Sequence, residues 1–475
     1  MSDYLFLMES RVTRDQWRVV TELRQAAEKL GMTLYLVGGA IRDLICGFPI
    51  EGLDFVAEGK ALHLLRSLNK NEYRITSLNE SLQEAELEFS SGAVASIAMA
   101  RSETFSSSGA RQIEPATIML DLKRRDFSIN SIGVSLNAQS HGLLLDPTNG
   151  AGDIERKEIR GLHNRTFIDD PVRMFRAVRF RTRLGFALEQ KTAAQFESAK
   201  ENDLQERASG EGLAHELRQI ARERNPVEIL KALEKEKLLI ALHPHLQGPR
   251  LNLHGIAQAT KIAQTLPQYG LKPPSFDLFL YLLLVKLPPR DSADLLKRLE
   301  LKKPESQGWQ KLETEGKHAA KEVAGSAGGS PTKLYHLLSG VSSDVLVLLQ
   351  TEFANAKVQS RVKAYLQKYL PLRYQLPRQE LESLGIPPNS PRFQEILEAY
   401  FFAAIEGKLR QSNPLKFLKS MVEKPEKKEA GKAKPAAVRQ PAQAKSGTKP
   451  ASKVAAKRIS KPPAKVIGKS AKRRK

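Results

Sequence analysis

Two adjacent glycines followed by an arginine form the first group of residues whose types and spacing suit chemistry. Gly38 and Gly39 end a short β-prone run, and Arg42 lies about one turn into the helix that follows. Glycine lets backbone N–H groups approach phosphate oxygens closely, and a helix N-terminus adds a favourable dipole. The arginine offers a charge-assisted contact. The pattern therefore indicates a phosphate-binding loop, whereas a Gly-Gly pair taken alone is more often only a tight turn.

Asp54 stands on the next β-prone run, Leu53–Val56, soon after the glycine loop. A carboxylate is the ligand that a hard cation such as Mg²⁺ prefers. The whole stretch Leu36 to Gly59 resembles the signature of the DNA polymerase β-like nucleotidyltransferase superfamily. It is most similar to the class II branch, the CCA-adding tRNA nucleotidyltransferases and bacterial poly(A) polymerases.

Three later segments resemble motifs of the same family and follow in the same order. The run 124–130 reads Arg-Arg-Asp-Phe-Ser-Ile-Asn, where the family has Arg-Arg-Asp-Phe-Thr-Ile-Asn. The run 146–153 resembles the family's Asp-Pro-x-x-Gly segment. Asp169-Asp170-Pro171-Val172-Arg173 is similar to its Glu-Asp-x-x-Arg nucleotide-recognition element. Several ordered motifs are far more specific than any one of them.

The resemblance implies addition of CMP or AMP to RNA 3′ ends without a template. It implies tRNA or another RNA and ATP or CTP as partners, and Mg²⁺ as cofactor. In the family, strand carboxylates hold two magnesium ions, a role that carries over here to Asp54 as catalytic residue and metal ligand. The nucleotide-binding residues that the resemblance implies are Gly38, Gly39, Arg42, Arg125, Asp126, Asn130, Asp170, Arg173 and Arg176.

Asp170 and Arg173 are spaced for joint recognition of a nucleobase. Residues 170, 173 and 176 are three apart, so on a helix they lie on one side. An aspartate only accepts hydrogen bonds and an arginine is a rigid donor fork, so the pair matches a base edge. In the family this pair selects cytosine or adenine. The other interpretation is an i, i+3 salt bridge on a solvated face, the commoner origin of such spacing.

The chain departs from the family at the metal-binding carboxylates. The family's Asp-x-Asp falls on Gly52 and Asp54, and its third carboxylate falls on Ser96. A hydrogen and a hydroxyl thus replace two of the three acids, although two Mg²⁺ ions need several anionic oxygens. Glu51 is adjacent, but strand alternation is expected to direct it elsewhere. The sequence therefore predicts a weakened magnesium site.

The remaining reactive side chains point to no second site at this stage. His243, His245 and His254 are close in sequence, but no His-Asp pair with metal-ligand spacing accompanies them, so we interpret them as structural. Cys46 is the single cysteine, which excludes an internal disulfide and is typical of a reducing interior. The hydroxyl, thiol and imidazole groups of the chain thus give no catalytic pattern of their own.

Mixed and then helical patterns predict how the elements are arranged. Up to about residue 145, short β-prone runs alternate with helical ones, and from Asp153 to about residue 410 the pattern is helical. We expect an α+β fold, with a nucleotidyltransferase head that carries an antiparallel or mixed sheet, followed by all-α domains and a disordered C-terminus. The expected boundaries are head 1–150, neck 151–220, body 221–325, tail domain 326–420 and basic tail 421–475.

The charge of the chain is concentrated at its C-terminal end. Residues 421–475 hold 18 Lys and Arg against 3 Asp and Glu, which accounts for +15 of the net +22. Such a segment can neutralise RNA phosphates with little sequence preference, and its last residues, Lys472, Arg473, Arg474 and Lys475, are the predicted RNA contacts. A solubilising tail and a localisation signal are the alternatives. No signal peptide and no membrane span are expected, which favours a cytoplasmic protein.

Two functional hypotheses of different class follow from these residues. In the first, the chain is an RNA nucleotidyltransferase whose catalysis is impaired by the replaced carboxylates. In the second, it is an inactive homologue that binds nucleotide and RNA. Base preference and oligomeric state are not determined by the sequence.

Overall fold

The computed structural model describes residues 4–105, 111–301, 303–325, 327–409 and 414–423. Residues 424–475 of the predicted basic tail, including Lys472, Arg473, Arg474 and Lys475, lie outside the described residues, whereas residues 421 and 422 end the helix Pro414–Val422. Residues 1–421 form one compact unit by their contacts. Within the described residues, no helix combines the length and the apolar character that crossing a bilayer requires.

The head contains a seven-stranded mixed sheet and a separate hairpin. Its sheet has the order β3-β4-β5-β2-β1-β8-β9, in which β2 and β5 are parallel and the other neighbours antiparallel. β6 and β7 form the hairpin. The strands are β1 (Leu34–Val37), β2 (Leu53–Ala57), β3 (Tyr73–Asn79), β4 (Glu84–Phe89), β5 (Val94–Met99), β6 (Arg101–Phe105), β7 (Arg111–Pro115), β8 (Gly133–Ser135) and β9 (Leu144–Leu145).

Helices cover one face of this sheet. Alternate residues of β4 and β5, among them Leu87 and Ile97, are fully buried on that face. The longest head helix begins with a capping box between Thr13 and Gln16, and it ends just before Gly31. The head helices are α1 (Tyr4–Arg11), α2 (Arg14–Lys29), α3 (Gly39–Cys46), α4 (Leu64–Ser67), α5 (Ile118–Lys123) and α6 (Gly150–Glu155).

The chain after the head is helical apart from two short paired strands, β10 (Glu158–Ile159) and β11 (Ala187–Leu188). The next helices are α7 (Thr166–Asp169), α8 (Val172–Leu184), α9 (Gln190–Glu201), α10 (Gly210–Arg222), α11 (Pro226–Lys235), α12 (Leu253–Ala263), α13 (Phe276–Leu284), α14 (Pro289–Arg298) and α15 (Lys303–Ala324). The last are α16 (Pro331–Ser339), α17 (Ser343–Leu348), α18 (Ala356–Ala364), α19 (Leu370–Tyr374), α20 (Arg378–Ser383), α21 (Pro391–Ile405) and α22 (Pro414–Val422). This architecture confirms the predicted α+β head followed by helical segments, whereas the boundaries between neck, body and tail stay predictions.

Candidate active site at the glycine loop

The glycine loop joins β1 to α3 and requires glycine at its first position. Gly38 has φ +69° and ψ −127°, a conformation that side chains disfavour. A Cβ atom at this position would also lie 2.9 Å from Nη1 of Arg125. The backbone N–H of Gly38 donates to the carbonyl of Ile132 at 2.9 Å, which fixes the loop to the segment before β8. Backbone and arginine therefore approach each other closely at the start of α3.

Asp54 lies beside this loop. It is paired with Val37 across β1 and β2, so it stands level with the last residue before the glycines. Its Oδ2 atom is 3.7 Å and 3.8 Å from the positions that Cβ atoms on Gly38 and Gly39 would occupy. The structure thus brings together the predicted phosphate loop and the predicted catalytic carboxylate, an arrangement that the sequence argument required.

Ser96 and Gly52 occupy the two positions where the family resemblance implies carboxylates. Ser96 is the β5 partner of Asp54, and its Oγ donates to Oδ1 of Asp54 at 2.7 Å. At Gly52, a Cβ atom would meet only the carbonyl oxygen of Val94, at 3.9 Å. Space for a side chain therefore exists at position 52, and a hydroxyl occupies the position beside Asp54.

The donor set around Asp54 does not fit a two-metal centre. Two divalent ions need several anionic oxygens, but Gly52 and Ser96 supply none, and Oδ1 of Asp54 already accepts a hydrogen bond from Ser96. Glu51 precedes β2 and is exposed to solvent, and the charged groups around it include Arg183, Glu223 and Asp43. The residues around Asp54 therefore do not support a two-metal mechanism.

Glu86 is an acid near this site that the sequence argument did not identify. It pairs with Ser96 across β4 and β5, so Glu86, Ser96 and Asp54 form one row on one face of the sheet. Two strand spacings, about 10 Å, separate the backbones of Glu86 and Asp54. Desolvation lowers the pKa of His215, while nearby Glu216 and Glu86 act in the opposite direction, so Glu86 faces α10.

The neighbours of Glu86 on β4 are engaged in ion pairs. Glu84 contacts Arg101 at 3.4 Å, and Arg74 donates to Glu88 at 3.0 Å. Among the described residues, Glu86 has no ion pair. The alternating glutamates 84, 86 and 88 are a sequence signal that one face of β4 is acidic, since alternate residues of a strand share a face.

Arg125 and Arg42 approach the glycine loop from different sides. Arg125 donates to Asp121 at 3.0 Å and holds its Nη1 over Gly38, where it is positioned to meet a phosphate. Arg42 is only 3% exposed; its guanidinium donates to Asn130 at 2.7 Å and lies 4.6 Å from the ring centre of Phe180. Arg42 thus packs beneath the loop, and its direct contact with phosphate stays a prediction.

Asp126, Asn130 and Arg176 belong to a buried charge network between the head and α8. Arg176 donates to Asp126 at 2.7 Å and to Glu216 at 2.6 Å, and Asn130 donates to Asp126 at 3.0 Å. Burial opposes ionisation of Asp126, but Arg176 outweighs it and lowers the pKa of that carboxyl to about 2. These side chains hold α8 against the head, and whether they also contact a nucleotide stays a prediction.

The network continues along α8 through Arg179 and Arg183. Arg179 donates to Glu216 at 3.0 Å and to Glu223 at 3.1 Å, and Arg183 donates to Asp43 at 2.7 Å. The arginines 176, 179 and 183 therefore join α8 to α10 and to α3. Because successive arginines are three or four residues apart, they lie on one side of α8 and contact the neighbouring elements. α8, which also carries Arg173, therefore has a fixed position relative to the glycine loop.

Asp170 and Arg173 lie at the start of α8 with donor capacity to spare. Nε of Arg173 is 3.6 Å from Oδ2 of Asp170, too long for a good hydrogen bond, and it is buried with no hydrogen-bond partner among the described residues. Nη1 of Arg173 donates to Thr166 Oγ1 at 3.1 Å. Oδ1 of Asp170 accepts a hydrogen bond from the backbone N–H of Val172 at 3.1 Å. The carboxylate and the guanidinium thus lie side by side at the start of α8, and their contact with a base stays a prediction.

The family resemblance implies an arginine after Glu211, where this chain has Gly212. A Cβ at Gly212 would lie 2.6 Å from Cγ2 of Val172. The first turn of α10 thus packs directly on the first turn of α8, beside Asp170 and Arg173. Only glycine allows this approach, so the surface next to the recognition pair differs from one that carries an arginine.

Comparison with known proteins assigns the domain that contains this loop. Residues 34–160 match the protein family described as the poly A polymerase head domain. These residues form a poly A polymerase head domain. This assignment, together with the relatives below, confirms the resemblance to class II CCA-adding nucleotidyltransferases. Gly38, Gly39, Asp54, Ser96 and Arg125 all lie within the matched head.

Relatives of the whole chain are tRNA nucleotidyltransferases. An A-adding tRNA nucleotidyltransferase of Geobacter sulfurreducens is 27% identical over 413 residues, which cover 85% of this chain and 47% of that protein. One of Halalkalibacterium halodurans is 37% identical over 232 residues, which cover 48% of this chain and 54% of that protein. The chain spans about half the length of the curated relatives it matches.

A solved structure supports the same fold beyond the head. A tRNA-processing enzyme (apo form I) has a TM-score of 0.50 and 25% identity, with coverage of 83% of this chain and 99% of that chain. The head and the helical segments after it therefore occur together in a known fold.

Proposed function

We propose that this chain binds a nucleoside triphosphate and the 3′ end of a tRNA around Asp54, and that it transfers CMP or AMP slowly. The single observation that carries the proposal is the contact of the glycine loop, Asp54 and Ser96. Loop and acid are retained in the arrangement that nucleotide transfer needs, while the acid's neighbour is a hydroxyl. Relatives of this chain are described as A-adding tRNA nucleotidyltransferases, which supports tRNA as the acceptor of the nucleotide.

Binding of the nucleotide rests on the chain's own residues. The N–H groups of the glycine loop and the N-terminus of α3 suit the triphosphate, and Arg125 adds a cation over Gly38. At the start of α8, the carboxylate of Asp170 and the guanidinium of Arg173 lie side by side, so they would offer an acceptor and donors to a base edge. The charge network on α8 keeps this pair and the loop at a constant separation.

Transfer is the weak step. The RNA 3′-hydroxyl loses its proton to solvent as its oxygen bonds to the α-phosphorus, and the bond from that phosphorus to the bridging oxygen breaks to release pyrophosphate. Negative charge therefore develops on the attacking and the leaving oxygen. When Mg²⁺ is bound, it supplies electrostatic stabilisation of this charge. A single carboxylate leaves most of that ion's coordination to the triphosphate, which is why we propose slow transfer. The second hypothesis, binding without transfer, is favoured by the hydrogen bond that engages Asp54.

An incorporation assay with a matched acid control tests the proposal. The purified full chain is incubated with labelled ATP or CTP, Mg²⁺ and tRNA that lacks its 3′ end, and nucleotide binding is measured in parallel. We expect slow incorporation that Asp54→Asn abolishes and that Glu51→Gln leaves unchanged, because Glu51 lies away from Asp54.

The two measurements separate the hypotheses. Nucleotide binding without incorporation establishes the binding homologue. Absence of nucleotide binding contradicts both, and incorporation that survives Asp54→Asn contradicts the role of Asp54.

A further inference from the structure

His243, His245 and Asp291 bring three metal-ligating groups together far along the chain from the glycine loop. One donor atom from each lies within 4.8 Å of the other two, and among the described residues this is the only such group of three. The two histidines flank Pro244 after a 3₁₀ turn, Leu238–Ala241, and Asp291 lies in the first turn of α14. The sequence-based interpretation of these histidines as merely structural missed Asp291, which is 46 residues from His245.

The hydrogen bonds within the cluster show how its donors are prepared. Nδ1 of His245 is 2.7 Å from Oδ2 of Asp291, and the backbone N–H of His245 donates to Nδ1 of His243 at 3.2 Å. This contact between carboxylate and imidazole fixes the orientation of the His245 ring. The two rings and the carboxylate therefore face one another before any ion is present.

Distances within the cluster suit a small tetrahedral ion. Metal–ligand bonds of about 2.0–2.2 Å place neighbouring donors about 3.3 Å apart in a tetrahedron. Donors that already lie within 4.8 Å need side-chain movements of only about 1.5 Å to reach this geometry. His245 and His243 stand on an exposed loop, so their side chains can make such movements, and solvent can supply the fourth ligand.

Arg250 is the charged group that opposes a cation here. Its Nη1 lies 3.6 Å from Oδ2 of Asp291. The side chain of Arg250 is 46% exposed, so it can move into solvent at little cost. Arg250 thus competes with a metal ion for the carboxylate of Asp291, so replacing Arg250 tests the site directly.

We infer that His243, His245 and Asp291 bind one divalent ion of the zinc class, at a site separate from Asp54. Two imidazoles and one carboxylate match the preferences of Zn²⁺, Co²⁺ and Ni²⁺, whereas Mg²⁺ prefers oxygen ligands.

The ion would link the N-terminal end of α14 to the loop that carries His243 and His245. The C-terminal end of α14 is already anchored by hydrogen bonds. At the C-terminal end of α14, Arg298 donates to the carbonyl of Ala208 at 2.6 Å and to that of Ala241 at 3.2 Å. A link between Asp291 and His245 adds a second attachment to the segment that follows α11. Binding therefore stabilises this part of the chain, and thermal unfolding provides a readout that is independent of any activity.

Calorimetric titration of the untagged full chain with ZnCl₂ tests the inference. We expect one site per chain, a visible spectrum typical of tetrahedral coordination with Co²⁺, and a higher midpoint of thermal unfolding. His243→Ala and His245→Ala should each weaken zinc binding by about tenfold or more. Arg250→Gln should tighten it, because the competing cation is removed.

His254→Ala is the matched control, since His254 is exposed on α12 and lies outside the cluster. It should leave zinc binding unchanged. The inference is overturned if the wild-type chain binds no zinc, if binding persists in His243→Ala/His245→Ala, or if His254→Ala weakens it equally. His245→Gln, which keeps a polar side chain beside Asp291, repeats the test should an alanine variant fail to fold.

Discussion

Replacement of Glu216 by glutamine tests whether the buried charge network holds α8 in place. Glu216 is 1% exposed, and it accepts hydrogen bonds from Arg176 at 2.6 Å and from Arg179 at 3.0 Å. Removing its charge leaves two guanidinium groups with less compensation in a site with little water. Stability should therefore fall markedly, although the shape of the side chain is conserved.

The magnitude follows from the partners that remain. Breaking a buried ion pair by removing one partner costs about 3–5 kcal/mol. Arg176 keeps Asp126 at 2.7 Å and Arg179 keeps Glu223 at 3.1 Å, so neither cation is left alone. We therefore expect the lower end, a loss of about 3 kcal/mol, which corresponds to roughly a hundredfold change in the folded-to-unfolded ratio.

Urea unfolding followed by circular dichroism and tryptophan fluorescence measures this loss. Glu211→Gln on the same helix is the control; Glu211 is exposed, so its replacement should change stability by less than about 0.5 kcal/mol. A loss below about 1 kcal/mol for Glu216→Gln would refute the reasoning, because the network would then not hold α8.

Three further predictions concern the loop, the network and the tail. Gly38→Ala should lower the free energy of unfolding by about 1–3 kcal/mol and weaken nucleotide binding, because the added Cβ strains the backbone and meets Arg125. Gly59→Ala is the control: Gly59 also has a positive φ but has open space around it, so this variant should lose less stability in urea unfolding and keep nucleotide binding. The pKa of Asp126 in the folded chain, about 2, lies below its ordinary value of 3.8, so the stability that its ionised form contributes is complete above about pH 4 and is lost as the pH falls towards 2. The free energy of unfolding of Asp126→Asn should therefore depend less steeply on pH over this range. Deletion of residues 424–475 should lower tRNA affinity and flatten its salt dependence in filter-binding measurements, while nucleotide affinity stays constant.

Local features of the fold could be predicted from the sequence. The contact between Gly38 and Asp54 depends on a strand, a tight loop and the next strand, which are close along the chain. The family resemblance assigned Ser96 to the third carboxylate position, and the structure pairs it with Asp54. Such features follow from short-range geometry, so a sequence pattern is sufficient to identify them.

Contacts between distant segments could not be predicted in this way. Glu86 reaches the row of Asp54 only because β4 pairs with β5, and a sequence pattern does not specify that pairing. The burial of Arg42 could not be predicted, because it depends on Asn130 and Phe180, which lie far along the chain. The contact between His245 and Asp291 could not be predicted for the same reason, because it depends on the packing of α14.

The central claim is that missing carboxylates, and not a missing fold, limit nucleotide transfer. Its most direct test compares single-turnover incorporation into tRNA by the wild-type chain and by Gly52→Asp/Ser96→Asp. Position 52 has open space, and position 96 already contacts Asp54, so both acids can be accommodated. Restored metal ligands should add about 3 kcal/mol of transition-state stabilisation and raise the rate about a hundredfold. Rapid incorporation by the wild-type chain, or no gain by a folded double variant, would contradict the claim.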